Sequence, residues 1–260
     1  MGFSGQSQRA KGRKQLNGLL AALQFLSVLP IIRQFTPNDI GRSMAWFPIA
    51  GLIIGLCAAM VYGATQMLGV PDMVSALAGV AALAGFSGFL HLDGVADMAD
   101  GFFSSRPRER ILEIMRDSRI GTMGVIGVFM VLAFKWAAIV SLPPAIGWRV
   151  LVLAPIVGRA SQIITMHYMP YARSEGGLAS IFLAHCSRQT VLIVIVIVTL
   201  SAVLLGGAKG MMAVCVSGIF GFYFNFRCLR KIGGMTGDTL GAISEGIETV
   251  VMCAMCAGME

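Results

Sequence analysis

The chain of 260 residues is 56% hydrophobic and only 13% charged, with 32 glycines and 17 methionines, and its mean hydropathy is +0.78. Soluble domains hold about 25% charged residues, so an ordinary soluble enzyme, a disordered chain and a disulfide-stapled secreted scaffold are set aside. The net charge of +7 is no nucleic-acid signature either, because 16 of the 20 Lys and Arg residues lie in short polar segments between apolar runs, where they report membrane orientation.

Residues 1–15 read as a basic cytoplasmic tail, and 16–260 as a single membrane-embedded domain. The apolar stretch 16–32 is shorter than the ~20 residues that span a bilayer and has Pro30 near its end. No small-residue cleavage site follows it. It is expected to be an interfacial or re-entrant helix, with a full span as the alternative. Spans follow at 43–69, 73–90, 121–141, 145–166, 190–208, 209–226 and 239–259. The predicted architecture is therefore an all-α, polytopic integral membrane helix bundle of about seven transmembrane helices plus the N-terminal helix. The connectors near 70–72, 143–145 and 206–210 are tight, whereas those at 91–120, 167–189 and 227–238 are long and Arg-rich. Alternation puts every Arg-rich loop and the N-terminus on one side, which the positive-inside rule makes cytoplasmic. Glycines inside the spans read as close-packing positions, and Cys253 and Cys256, in an apolar run without a second pair or a nearby His, as small buried residues.

Chemistry concentrates in a few polar segments. In His91-Leu92-Asp93-Gly94-Val95-Ala96-Asp97-Met98-Ala99-Asp100-Gly101, Asp93, Asp97 and Asp100 fall within about 60° of one another at ~100° per residue. Like charges on one stripe repel unless a cation lies between them, and oxygen-only ligation favours Mg²⁺, Mn²⁺ or Ca²⁺; the competing reading is a solvated acidic helix end. His91 is expected to be a structural hydrogen-bonding residue. Next comes Arg116-Asp117-Ser118-Arg119, just before a span. Its arginines suit phosphates or plain positive-inside anchoring, and Asp117 either holds them or ligates a metal. Arg159 lies inside a span and needs a partner, a carboxylate or the substrate. Lys135 is expected to form a bundle-facing ion pair. The segment Met169-Pro170-Tyr171-Ala172-Arg173-Ser174-Glu175 reads as a mobile phosphate-binding loop or a connector. Finally, a Gly-rich turn with Thr236 and Gly237 opens a helix on which Asp238, Gly241, Glu245 and Glu248 share a face. The amides of its first turn suit phosphate oxygens. Glu245 and Glu248 stand about 10 and 15 Å deeper than Asp238, where carboxylates mark function by default.

Together HLDGVADMADG, RDSRIGTMG, PYARSEGGL and GGMTGDTLGA, with support from FLSVLP and RSMAWFPIAG, resemble the cobalamin synthase (adenosylcobinamide-GDP ribazoletransferase) family, in order from about residue 25 to 248. The resemblance implies a Mg²⁺-dependent transferase of the bacterial inner membrane whose active site faces the cytoplasm. The ribazole 3′-hydroxyl, of α-ribazole or its 5′-phosphate, would attack the cobinamide-linked phosphorus of adenosylcobinamide-GDP, and GMP would leave. On this reading Asp93, Asp97 and Asp100 hold one or two Mg²⁺ ions, and Asp238 is the base or a further ligand, with Glu245 as the alternative base. Arg116, Arg119, Arg159 and Arg173 bind phosphate, with Asp117, Thr236 and Gly237 beside them. The acidic stripe is also similar to that of CDP-alcohol phosphotransferases, but Asp97 stands where an Arg is expected, so individual roles do not carry over from them. The implied partners are small-molecule substrates and the lipid bilayer, not nucleic acid, and a homo-oligomer stays open. An ion-coupled transporter or channel built on the intramembrane carboxylates is the competing function.

Overall fold

Inside a bilayer no water satisfies backbone amides and carbonyls, so an apolar chain crosses as helix. The computed structural model describes residues 3–175 and 177–257, and among these it contains helices and no strand. The order is α1 (Phe3–Leu26), α2 (Pro37–Ser43), α3 (Phe47–Met67), α4 (Asp72–Phe86), α5 (Leu90–Phe102), α6 (Arg108–Ile114), α7 (Thr122–Val140), α8 (Pro144–Tyr168), α9 (Leu178–Leu183), α10 (Arg188–Ile232) and α11 (Gly237–Cys256). Among the described residues five segments are long and apolar enough to cross a membrane, and α4 with α5 supplies a sixth only as a pair bent by 88°. The chain is a multi-pass membrane protein.

At the centre is α8, buried almost all round from Val150 to Ile163 and packed against α3, α10 and α11. A helix apolar on every face belongs inside a bundle.

Local chemistry accounts for the departures from the expected spans. The N-terminal helix begins at Phe3, inside the stretch expected to be the basic tail, and stops at Leu26 rather than at residue 32. Pro30 favours extended backbone before it, and 27–36 carries no helix. The apolar part of α1, Gln15–Leu26, extends only about 18 Å, in keeping with a helix that does not span. Thr36 and Asp39 then form a capping box, with Pro37 in the first turn, to start α2. The expected span 73–90 stops at Phe86 because Gly88 and Phe89 adopt left-handed backbone, φ 62° and 58°. A bulky residue in that region stores strain. The spans at 190–208 and 209–226 are the halves of α10, separated at Gly207, whose φ of 57° and ψ of −137° suit only glycine. The chain folds back there closely enough for Gly210 to abut the backbone of Ala202.

The two ends of the bundle differ as the connectors do. At one, Lys209 Nζ donates to the carbonyl of Ala257 (3.3 Å) and Trp136 Nε1 to that of Met73 (2.9 Å). At the other, the three Arg-rich connectors bond to one another. Arg108 donates to the carbonyls of Ile232 (2.8 Å) and Ala172 (3.0 Å), and Lys231 Nζ to that of Phe102.

Candidate active site

The charged end of the bundle holds a cavity of 320 Å³ whose wall includes His91, Asp93, Gln162, Tyr171, Arg173 and Asp238. Its floor is set by the crossing of α5 and α11. A Cβ on Gly94 would stand 2.5 Å from the carbonyl oxygen of Asp238, so only glycine lets the acidic stripe come this close to the start of α11. That start is a reciprocal cap: Thr239 Oγ1 accepts from Thr236 N (2.8 Å) and Thr236 Oγ1 accepts from Thr239 N (3.3 Å). Gly237, next to it, lines the cavity, and first-turn amides have no partner inside a helix.

The loop Pro170–Glu175 is pinned rather than free. Ala172 N donates to Met235 O (2.8 Å) and Met235 N to Pro170 O (2.9 Å), which carries Arg173 to Asp238. Arg173 Nη2 donates to Asp238 Oδ2 at 2.8 Å, and Thr236 Oγ1 to the same oxygen at 3.2 Å. Asp238 Oδ1 thus keeps both lone pairs among the described residues. Arg173 Nε is buried without a protein partner, a guanidinium donor open to a ligand. Burial pushes the Tyr171 phenol up from its ordinary value.

The acidic stripe divides. Asp100 accepts from Gly121 N (2.6 Å) and Gly124 N (2.8 Å) and so caps the start of α7. The carboxylates of Asp93 and Asp97 accept no hydrogen bond from a described residue, and Asp97 feels the charges of Asp93, Asp238, Asp100 and Arg173. No three His, Cys, Asp or Glu side chains among the described residues gather closely enough to hold a metal ion. Asp100 thus serves as a helix cap with one bond on each oxygen, while the carboxylates of Asp93 and Asp97 carry none from described residues. A pair still fits Mg²⁺, which binds through one or two carboxylates plus substrate phosphates rather than in an all-protein cage.

The other expected site residues lie elsewhere. Arg116 pairs with Glu175 (2.6 Å), and Arg119 forks onto Asp117 (2.7 to 3.2 Å) at the surface. Those bonds hold the Asp117 carboxyl down at about 2. Arg116 shares with Arg173 a second, more open cavity of 400 Å³. Arg159 and Glu245 belong to a deeper layer. Lys135 Nζ reaches Glu245 (2.5 Å) and Glu248 (2.6 Å), Arg159 pairs with Glu248, and Arg159 Nη2 donates to Ser87 Oγ (2.8 Å). Arg159 does not line the cavity, and the partner it needs is the carboxylate of Glu248. Glu245 is 4% exposed and bound to a lysine, a poor location for the alternative base. A transporter reading of these carboxylates meets the same obstacle, since both are held by protein cations.

Residues without a predicted role complete the site. Gln162 Nε2 bonds both Leu240 O (3.1 Å) and His91 Nε2 (2.9 Å). An amide nitrogen only donates, so His91 Nε2 accepts and a neutral ring carries its proton on Nδ1. Phe25, Phe47 and Phe182 supply aromatic wall. Phe25 and Phe47 fall within FLSVLP and RSMAWFPIAG, whereas nothing in its sequence context singles out Phe182.

The family model described as cobalamin-5-phosphate synthase (CobS) matches residues 18–256. Proteins named adenosylcobinamide-GDP ribazoletransferase are similar along nearly their whole length. That of Syntrophobacter fumaroxidans is 38% identical over 90% of this chain and 95% of its own. That of Chlorobaculum tepidum is 36% identical over 91% and 93%, and that of Brevibacillus brevis 34% over 92% and 98%. No solved structure matches. With the match running from α1 to the end of α11, the chain belongs to the cobalamin-5-phosphate synthase family.

Proposed function

We propose that the protein is a Mg²⁺-dependent adenosylcobinamide-GDP ribazoletransferase of the bacterial inner membrane, with its active site open to the cytoplasm. The hydroxyl of α-ribazole, or of its 5′-phosphate, attacks the cobinamide-linked phosphorus; the new O–P bond forms as the bond to GMP breaks. The carrying observation is the convergence of Asp93, Asp97, Arg173 and Asp238 at one end of the bundle, acids and a half-free guanidinium where a pyrophosphate needs neutralisation. The cytoplasmic orientation rests on the Arg-rich connectors meeting at that end.

Asp93 and Asp97 would hold Mg²⁺, which supplies charge neutralisation on the pyrophosphate when bound. Arg173 contributes its Nε to a phosphate oxygen while Nη2 stays on Asp238. Asp238 receives the hydroxyl proton at Oδ1, the oxygen that neither Arg173 nor Thr236 occupies. The first-turn amides of α11 offer further donors to the leaving phosphate.

The test is purified full-length protein in detergent or nanodiscs, given adenosylcobinamide-GDP and α-ribazole. GMP release that requires both substrates and Mg²⁺, and stops with chelator, is expected. No GMP from either acceptor form, or turnover indifferent to chelation, overturns the corresponding part.

A further inference from the structure

The cavity between α1, α3, α5, α8, α9 and α11 has two kinds of wall. One part is aromatic: the Phe25 and Phe47 rings stack with centroids 6.1 Å apart, and Phe182 stands 5.4 Å from each. Leu90, Met166 and Ala179 extend this apolar surface. The other part is polar, and two of its residues carry buried side-chain atoms without a protein partner, Gln162 Oε1 and Arg173 Nε; His91 Nδ1 instead faces Glu245 Oε1 at 4.0 Å. Buried orphans of this sort are rare in native proteins and call for a missing partner. Two around one cavity point to a ligand with hydroxyl and phosphate groups at one end and a flat apolar group at the other.

We infer that this cavity seats the acceptor nucleoside, its aromatic base against Phe25, Phe47 and Phe182, its sugar hydroxyls against Gln162 and its reacting end toward Arg173, while the corrinoid substrate stays outside. The inference rests on the transferase reading above and assigns one of its two substrates to a place. Size decides between them. A volume of 320 Å³ is at the lower end of the ~300–1,000 Å³ range of small-molecule sites, enough for a bicyclic base and a pentose. A corrin macrocycle with its side chains and adenosyl ligand does not fit. Arg173 also lines the neighbouring 400 Å³ cavity with Arg108 and Arg116, so a pyrophosphate entering from that side meets the same guanidinium that borders the nucleoside. Chemistry gives the specificity. A base with few polar edge atoms loses nothing among the phenylalanines, whereas the ring nitrogens and amino group of a purine would be left without partners.

The test is steady-state kinetics on the full chain, with KM determined separately for each substrate. Phe182→Leu and Phe47→Leu keep an apolar side chain but remove the ring face. Each should raise KM for α-ribazole about tenfold or more, with KM for adenosylcobinamide-GDP within about twofold. Wild-type protein should prefer α-ribazole over the matching α-adenine nucleoside by about 100-fold or more in kcat/KM. Thermal melting of each variant identifies one that has merely lost its fold. Should both leucine variants misfold, the wild-type base preference still decides. Normal turnover with an unshifted ribazole KM, a shift in the corrinoid KM alone, or indifference to the base overturns this assignment and leaves the transferase intact. Absence of wild-type GMP release instead sinks the reading on which it rests.

Discussion

Helix α11 carries two charged layers that differ in everything except residue type. At its N-terminus Asp238 bonds Arg173 beside an open cavity that Asp93 also lines, and Asp97 feels the charges of all three. Deeper along the helix Glu245 and Glu248 meet Lys135 and Arg159, two anions against two cations, with every member at most 4% exposed. The deep layer balances its own charge; the upper one does not. Desolvated charges persist only when paired, so the deep layer, with its two anions matched to two cations, serves the fold, joining α7, α8 and α11 and reaching the α4–α5 bend through Ser87. An excess of carboxylates at a cavity mouth calls for a cation. Function is indicated by the imbalance, not by the depth.

The sharpest way to break this contrast is to neutralise each layer in turn. Asp93→Asn and Asp97→Asn should each lower kcat/KM by about 10³-fold or more and weaken the response to Mg²⁺, with helicity and melting temperature near wild type. Near-normal turnover in either would remove that residue from the site. The deep layer should answer in the opposite currency. Glu248→Gln leaves Arg159 and one bond of Lys135 without a counter-charge and should destabilise the protein by about 3–5 kcal/mol. The loss should be read as a lower unfolding midpoint in detergent, with the Mg²⁺ requirement of the folded fraction unchanged. A stable variant with an altered Mg²⁺ response would show that the layers are one site.

Much of this was legible in the chain. The apolar spans, the break at Gly206–Gly210, the single charged end and the segments around Asp93, Arg173 and Asp238 follow from hydropathy, glycine and charge placement. The separation of the layers does not. Helical periodicity puts Asp238, Glu245 and Glu248 on one face of α11, but it is silent on what other helices bring to each level. Lys135 and Arg159 come from α7 and α8, 110 and 89 residues away from Glu245 and Glu248 respectively, and only their arrival turns a run of apparent catalytic acids into a structural pair. The α4–α5 bend was hidden for a related reason: an apolar run of ordinary length gives no sign that Phe89 will take up left-handed backbone. The aromatic wall likewise gathers from α1, α3 and α9, three elements with no shared motif.

Asp100 lies at the boundary of the comparison, since it has the spacing of a metal ligand and the bonds of a helix cap. Both of its oxygens are engaged, one by Gly121 N and the other by Gly124 N. Asp100→Asn keeps one acceptor and presents an amide donor to the other N–H, so one charge-assisted bond is lost and a donor faces a donor. The expected cost is about 1.5–3 kcal/mol of stability, smaller than that of Glu248→Gln, with a moderate fall in kcat as the Arg116–Arg119 segment that leads into α7 loosens. The Mg²⁺ concentration for half-maximal rate should nevertheless match wild type. Titrating Mg²⁺ against Asp93→Asn and Asp100→Asn side by side separates the cases. If both curves move together, Asp100 belongs with the ligands and the stripe acts as a triad. If only that of Asp93→Asn moves, the third carboxylate positions α7 for a site built on two.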